Sequence, residues 1–404
     1  MAEKQDIEQL HPSRRPAEIT WENRRRRLRH GLLLTLLAFV GTCLFRSAFP
    51  TLDPLEQRLD GHNDFPIWTR AFYHNHIYQD NFTDQIRLYG QVDFPRLQQG
   101  RLGAHPREPY NLTSDSERVY HEIVRDTFQQ IDLVRRLTEH FPASLVPASS
   151  VAEIRHNFNH HSGRISSLLG IEGLHQIGAS TSILRVYHRL GVRYASLTHT
   201  CHNHYADSEA PADAQHHGLS AAGEALVAEM NRLGMIVDLS HTSRETQRAA
   251  LALSRAPVMY SHSSAYALCP HSRNVDDESL RMLQQNDGII MITFYPEYTN
   301  CEDPEAATLA DVADHIQYVG NLIGYRHVGL GSDFDGMPRG PKGLEDVSKY
   351  PNLVQELLDR GVTVDDVVAV VGGNVLRVLE AVEKVAHKSR HLLPLEDDVK
   401  LFFG

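Results

Sequence analysis

The stretch "LDGHNDFP" at 59–66 sets His62 and Asp64 two residues apart, directly after an Asp-Gly pair. On a strand, residues two apart project from one face, so an imidazole and a carboxylate would leave together. That pair is half of a metal site, and equally a hydrogen-bonded pair at a strand end. Similar groups recur along the chain. Glu172 lies in "GIEG", His199 ends "VRYASLTH", His241 ends "MIVDLSH", His262 ends "PVMYSH" and Asp333 lies in "HVGLGSDFD". Imidazoles and carboxylates gathered in one place suit zinc, and a glutamate among them can bridge two ions about 3.5–4 Å apart, the geometry of two-metal hydrolysis. A lone histidine of this kind is more often a satisfied structural residue, so the case rests on placement.

Placement follows from the elements. Short apolar runs recur: "LDGHNDFP", "RISSLLGIEG", "VRYASLTH", "MIVDLSH", "PVMYSH", "GIIMITFY" and "HVGLGSDFD". They read as buried strands. Helical patterns separate them, among them "SERVYHEIVRDTFQQIDLVRRLTEHF", "SAAGEALVAEMNRLG", "SRETQRAALALS" and "DVADHIQYVGNLIG". The alternation predicts an α/β fold with a parallel sheet and right-handed crossovers. Six of the seven runs carry His, Asp or Glu at or just past their C-terminal ends, the end on which a barrel builds its function. An eighth strand would close a (β/α)8 barrel; its one candidate is "QQGRLGAHP", before the long helical pattern. Seven or fewer would leave the sheet open.

Bulk properties fit a large globular body. Hydrophobic residues make up 41% and charged residues 23% of the chain, and the formal net charge is −11. The first 30 residues hold eight Lys/Arg and five Asp/Glu, a balance of +3, which leaves −14 for the rest. An acidic body argues against nucleic acid as a partner. "RRRRLRH" (24–30) precedes the uncharged "GLLLTLLAFVGTCLF" (31–45). Fifteen residues are short for a span and suit a signal peptide as well. The long segment before the run and the absence of a clean cleavage site favour an anchor, and the arginines place the N-terminus in the cytoplasm. The expectation is a basic cytoplasmic tail over 1–30, a transmembrane signal-anchor over 31–48 and a lumenal or extracellular catalytic body over 49–404. The alternative is secretion after signal cleavage. Asn81 and Asn111 begin glycosylation sequons, a weak signal of secretion.

At the residues that end the runs, the chain resembles the membrane dipeptidase (renal dipeptidase) family of zinc peptidases. "DGHNDFP", "GIEG", "RYASLTH", "DLSH", "SHSSAY", "SRNV", "GSDFDGMPRGPKGLEDVSKYP" and "NVLRVLEAVE" follow in that family's order from about residue 55 onward. The resemblance implies a (β/α)8 barrel with two zinc ions per chain. His62 and Asp64 would hold one ion, His241 and His262 the other, and Glu172 would bridge them. It implies that a hydroxide bridging the ions attacks a dipeptide. Asp333 would move the proton and His199 would stabilise the oxyanion, both also touching substrate. Arg273 would hold the free substrate carboxylate. It further implies a Cys269–Cys301 disulfide, with Cys201 unpaired.

The sequence departs from the family at "GRLGAHPREPY", where a longer apolar strand is usual, so one pocket wall is altered. The C-terminal "HLLPLEDDVKLFFG" has no apolar tail for a lipid anchor, which leaves the N-terminal segment to tie the chain to a membrane. Tyr298 suits a pocket wall, though an aromatic there more often packs. His202, His204 and Asp335 read as loop residues, and the histidines of "NHH" (159–161) as surface ones. Two other functions stay open at this stage: a binuclear metallohydrolase acting on another amide or a lactam, and a non-catalytic binding protein on the same fold. A homodimer is open as well.

Overall fold

The computed structural model describes residues 59–100, 117–160 and 164–398. Its main sheet has six parallel strands in sequence order: β3 (Leu169–Glu172), β4 (Val192–Ser196), β5 (Ile236–Asp238), β6 (Met259–Ser263), β7 (Ile289–Ile292) and β8 (Val328–Leu330). Helices 181–189, 221–233, 244–253, 277–285 and 309–323 fill the successive crossovers. Strands β3, β5, β6, β7 and β8 are buried at every position, which is why they read as continuous apolar runs rather than alternating ones.

Three expectations need correction. "RISSLLGIEG" is not one strand: Ile165–Ser167 (β2) pairs in parallel with Leu145–Pro147 (β1), an element with no recognised signal, and only β3 joins the main sheet. Gln98–Gly100 of the eighth-strand candidate end a helix, Phe94–Gly100, and the remainder of that segment lies outside the described residues. "LDGHNDFP" forms no extended strand. It meets β8 and the residues after it through single parallel bridges, Asp60 to Leu330 and Asn63 to Phe334, and turns into the helix Phe65–Tyr73 at once. The same-face argument for His62 and Asp64 therefore fails, although both side chains reach one place.

The sheet curls strongly. The Tyr194 hydroxyl on β4 donates to the Gly61 carbonyl at 2.9 Å. A Cβ on Gly61 or on Gly331 would collide with the Ser261 carbonyl of β6, so only glycine allows these backbones to approach. Apolar side chains fill the space between sheet and helices, with Tyr187, Tyr260, Tyr350, Phe94, Phe294 and Phe334 fully buried.

Cys269 and Cys301 are disulfide-bonded with their Cα atoms 5.3 Å apart. Asn274 donates to the carbonyls of both Cys269 and Tyr298 at 2.9 Å, so the loop after β6 is pinned to the helix Pro296–Thr299. Cys201 is free, and burial pushes its thiol up to about 11. Asn81 is exposed. Asn111 and the 1–48 tail and anchor segments lie outside the described residues, among which no helix is long and apolar enough to cross a membrane.

Candidate metal centre

The Glu172 carboxylate, at the last position of β3, is the centre on which the histidines converge. His241 Nε2 lies 3.0 Å, His262 Nε2 3.1 Å and His62 Nε2 3.7 Å from Glu172 Oε1, while His199 Nε2 lies 3.8 Å from Oε2. His241 Nε2 and His262 Nε2 are 3.0 Å apart. His62 Nε2 is 3.5 Å from Asp64 Oδ1 and 4.0 Å from Asp333 Oδ1. All seven residues are buried. Every metal-site residue expected from sequence is in this one cluster.

The backbone explains the convergence. Asp64 N donates to Phe334 O at 2.8 Å and Asp333 N to His62 O at 3.0 Å, which zips the first segment to the loop after β8. Asp60 accepts from Ser332 N and Oγ at 2.7 and 2.6 Å and holds the same loop from below. Asp64 occupies a helix N-cap position, where aspartate usually caps, yet its side chain makes no capping bond and turns to the centre instead. His241 and Asp333 sit three residues past β5 and β8 in the left-handed region, at φ 66° and 64°. Such strain, on the order of 1–3 kcal/mol per residue, persists where the surroundings enforce it and clusters at functional sites.

Three carboxylates, Asp64, Glu172 and Asp333, are buried here together, and buried acids need compensating positive charge. Burial opposes protonation of His62, but the charges of Glu172, Asp64 and Asp333 outweigh it and push the imidazole up to about 9. His241 and His262 move down instead, first through burial. For zinc bonds of about 2.0–2.1 Å, ligand atoms on a tetrahedron stand about 3.3 Å apart. The separations of 3.0–3.7 Å around Glu172 bracket that value. The donor set, its spacing and its surplus negative charge therefore fit a divalent ion. Three overlapping triplets could each hold one: His62, Glu172 and His262; Glu172, His199 and His241; and His62, Asp64 and Asp333.

Arg273 borders the cluster. Its Nη2 donates to His262 O at 3.2 Å, and its guanidinium lies 5.3 Å from the centre of the Tyr298 ring. Nη1 is buried and has no hydrogen-bond partner among the described residues. Tyr298 thus serves the site by supporting this cation, and it stacks on Tyr295 as well.

The chain belongs to the membrane dipeptidase family. The family model, membrane dipeptidase of peptidase family M19, matches residues 56–392. Membership makes the protein a metal-dependent dipeptidase. Dipeptidase aclJ of Aspergillus oryzae is 67% identical over 421 aligned positions, covering 100% of this chain and 99% of the relative. Dipeptidase tcpJ of Claviceps purpurea is 50% identical over 349, covering 85% and 81%. In fold, the chain is similar to the probable dipeptidase PvdM from Pseudomonas aeruginosa, with a TM-score of 0.73 and 23% identity over 84% of this chain and 100% of that one.

Sequence reasoning missed several residues around the cluster. Tyr194 Oη is 3.2 Å from His62 Nδ1, and since its one proton goes to Gly61 O, it accepts from that nitrogen. Glu209 Oε1 lies 3.9 Å from Arg273 Nε and 4.0 Å from His241 Nδ1. Asp238 is fully buried beneath the histidines. An acid inside the apolar run "MIVDL" was the available signal for Asp238; nothing in the sequence marks Tyr194 or Glu209. Two of the residues read as loop residues make loop contacts: His202 Nε2 contacts Asp213 O at 2.6 Å, and the Asp335 carboxylate accepts from Gln91 N.

Proposed function

We propose that the protein is a zinc dipeptidase with a two-ion centre bridged by Glu172. His62 and Asp64 hold one ion, and His241 and His262 the other. The observation that carries this reading is the convergence of four buried imidazoles on one carboxylate, beside an arginine with an unused donor. When bound there, zinc supplies a water of pKa about 7 and polarises the peptide carbonyl.

The chain's own groups do the rest. Arg273 offers Nη1 to the C-terminal carboxylate of the substrate, a charge-assisted contact that selects peptides ending within reach. Asp333, on its strained loop, accepts a proton and returns it to the leaving amine. His199, on the far oxygen of Glu172, faces the developing oxyanion. Burial excludes bulk water and strengthens each contact. In this reading the curled sheet, with the 59–64 segment beside β8 and Tyr194 reaching across to it, supplies seven of the eight strand positions of a (β/α)8 barrel. The acidic body would stand outside the cytoplasm on the 31–48 anchor, an assignment that rests on sequence alone.

Comparing a dipeptide with its C-terminal amide tests the arginine assignment. Loss of a charged contact to Arg273 is worth about 2–5 kcal/mol, so kcat/KM for the amide should fall by at least 30-fold. Equal cleavage of both would remove Arg273 from substrate recognition.

A further inference from the structure

Asp238 is the last residue of β5, and its carboxylate gathers donors from β4, from β6 and from the loop after β5. Ser261 N and Ser240 N donate to Oδ1 at 2.8 and 3.1 Å. Ser261 Oγ donates to Oδ2 at 2.6 Å, and Ser196 Oγ reaches the same oxygen. These four donors fill the acceptor sites of an ionised carboxylate. A fully buried acid is expensive, and burial holds this carboxyl above its usual range.

The consequence lies one bond further on. Ser261 Oγ is 2.9 Å from His262 Nδ1. A hydroxyl has one proton, and Asp238 takes it, so Ser261 can only accept from the ring. His262 then carries its proton on Nδ1 and turns a bare Nε2 toward Glu172 and His241. Left alone, the ring would do the reverse. Glu172 Oε1 lies 3.1 Å from Nε2 and favours an N–H there. Ser240 Oγ accepts from His262 N at 3.0 Å and fixes the backbone of the same residue.

We infer that Asp238, acting through Ser261, is a positioning residue that sets the tautomer of His262 and so presets the centre for metal. The inference rests on the metal reading of the site. A ligand histidine whose other nitrogen donates to a fixed acceptor is the arrangement that orients the ring and raises its basicity, and its loss typically costs 10–100-fold in metal affinity.

The test uses the full chain stripped of metal, with ¹⁵N-labelled histidine. Ring nitrogen shifts report the tautomer, His262 is assigned by its loss in His262→Gln, and zinc affinity is measured by chelator competition. The wild type should show Nδ1–H and a bare Nε2. Ser261→Ala leaves Asp238 three of its donors, yet it should release the tautomer toward Nε2–H and weaken zinc binding 10- to 100-fold. Ser261→Thr, which keeps the hydroxyl, should restore both; Asp238→Asn should resemble the alanine variant if it folds. A wild-type tautomer in Ser261→Ala, or zinc affinity within twofold of wild type, would overturn the inference. Failure of the wild type to bind zinc would instead overturn the metal reading, while the shifts still report on the relay.

Discussion

In the proposed mechanism Asp333 carries the proton. It sits 4.0 Å from His62 Nε2, on a left-handed backbone that few non-glycine residues adopt. Asp333→Asn keeps the shape and removes the base, so kcat should fall about 10²–10⁴-fold with the fold intact, as read by turnover and circular dichroism. Undiminished kcat would move proton transfer to another group. At this scale the sequence was legible where chemistry is carried by residue type: His62, Asp64, Glu172, His199, His241, His262, Arg273 and Asp333 stand in one neighbourhood. It was illegible where the role depends on a contact across the sheet. Tyr194 and Glu209 have ordinary types at ordinary spacings, and only folding brings a phenol to His62 or a carboxylate to Arg273.

Strands and helices were read well where periodicity is strong. The long helix 117–140 and strands β4 to β8 stand where the pattern put them. Two strands no shorter than β5 or β8 failed: β1 lies in no apolar run, and β2 is separated from β3 by Leu168 alone, so the two read as one; the first segment pairs only by single bridges. A further contact invisible to periodicity joins the C-terminal tail to helix 181–189, whose own N-cap Ser180 makes no side-chain cap. Asp397 accepts from Thr181 N at 2.6 Å, Ser182 N at 2.9 Å and Ser180 Oγ at 2.8 Å. Burial opposes this charge, but those bonds outweigh it and hold the carboxyl below its usual range. A depressed carboxyl stabilises the fold above its unfolded pKa of about 4 and loses that contribution as pH falls through the lower native value. Asp397→Asn should cost about 1 kcal/mol at pH 7, and the gap from wild type should close toward pH 3, as measured by urea midpoints. A gap that widens on acidification would contradict the capping role.

At the scale of the molecule, the cluster brings the 59–64 segment together with strands and loops far along the chain. The proposed ligands come from the 59–64 segment and from β3, β5 and β6 or the loops after them, so an ion bound there would join elements up to 200 residues apart, from His62 to His262. Ligand binding to the folded state alone stabilises by about 4 kcal/mol at 1,000 times Kd. Chelation should therefore lower Tm by roughly 5–10 °C, reversed by zinc. A chelated protein that melts unchanged would mean that the cluster is a self-sufficient polar core.

The most direct test measures zinc content and dipeptide hydrolysis on one sample of the full chain, beside Asp333→Asn. The expected result is about two zinc ions per chain in both proteins, with cleavage in the wild type alone. A chain that cleaves dipeptides with no bound metal, or that holds two zinc ions and cleaves none, would contradict the account.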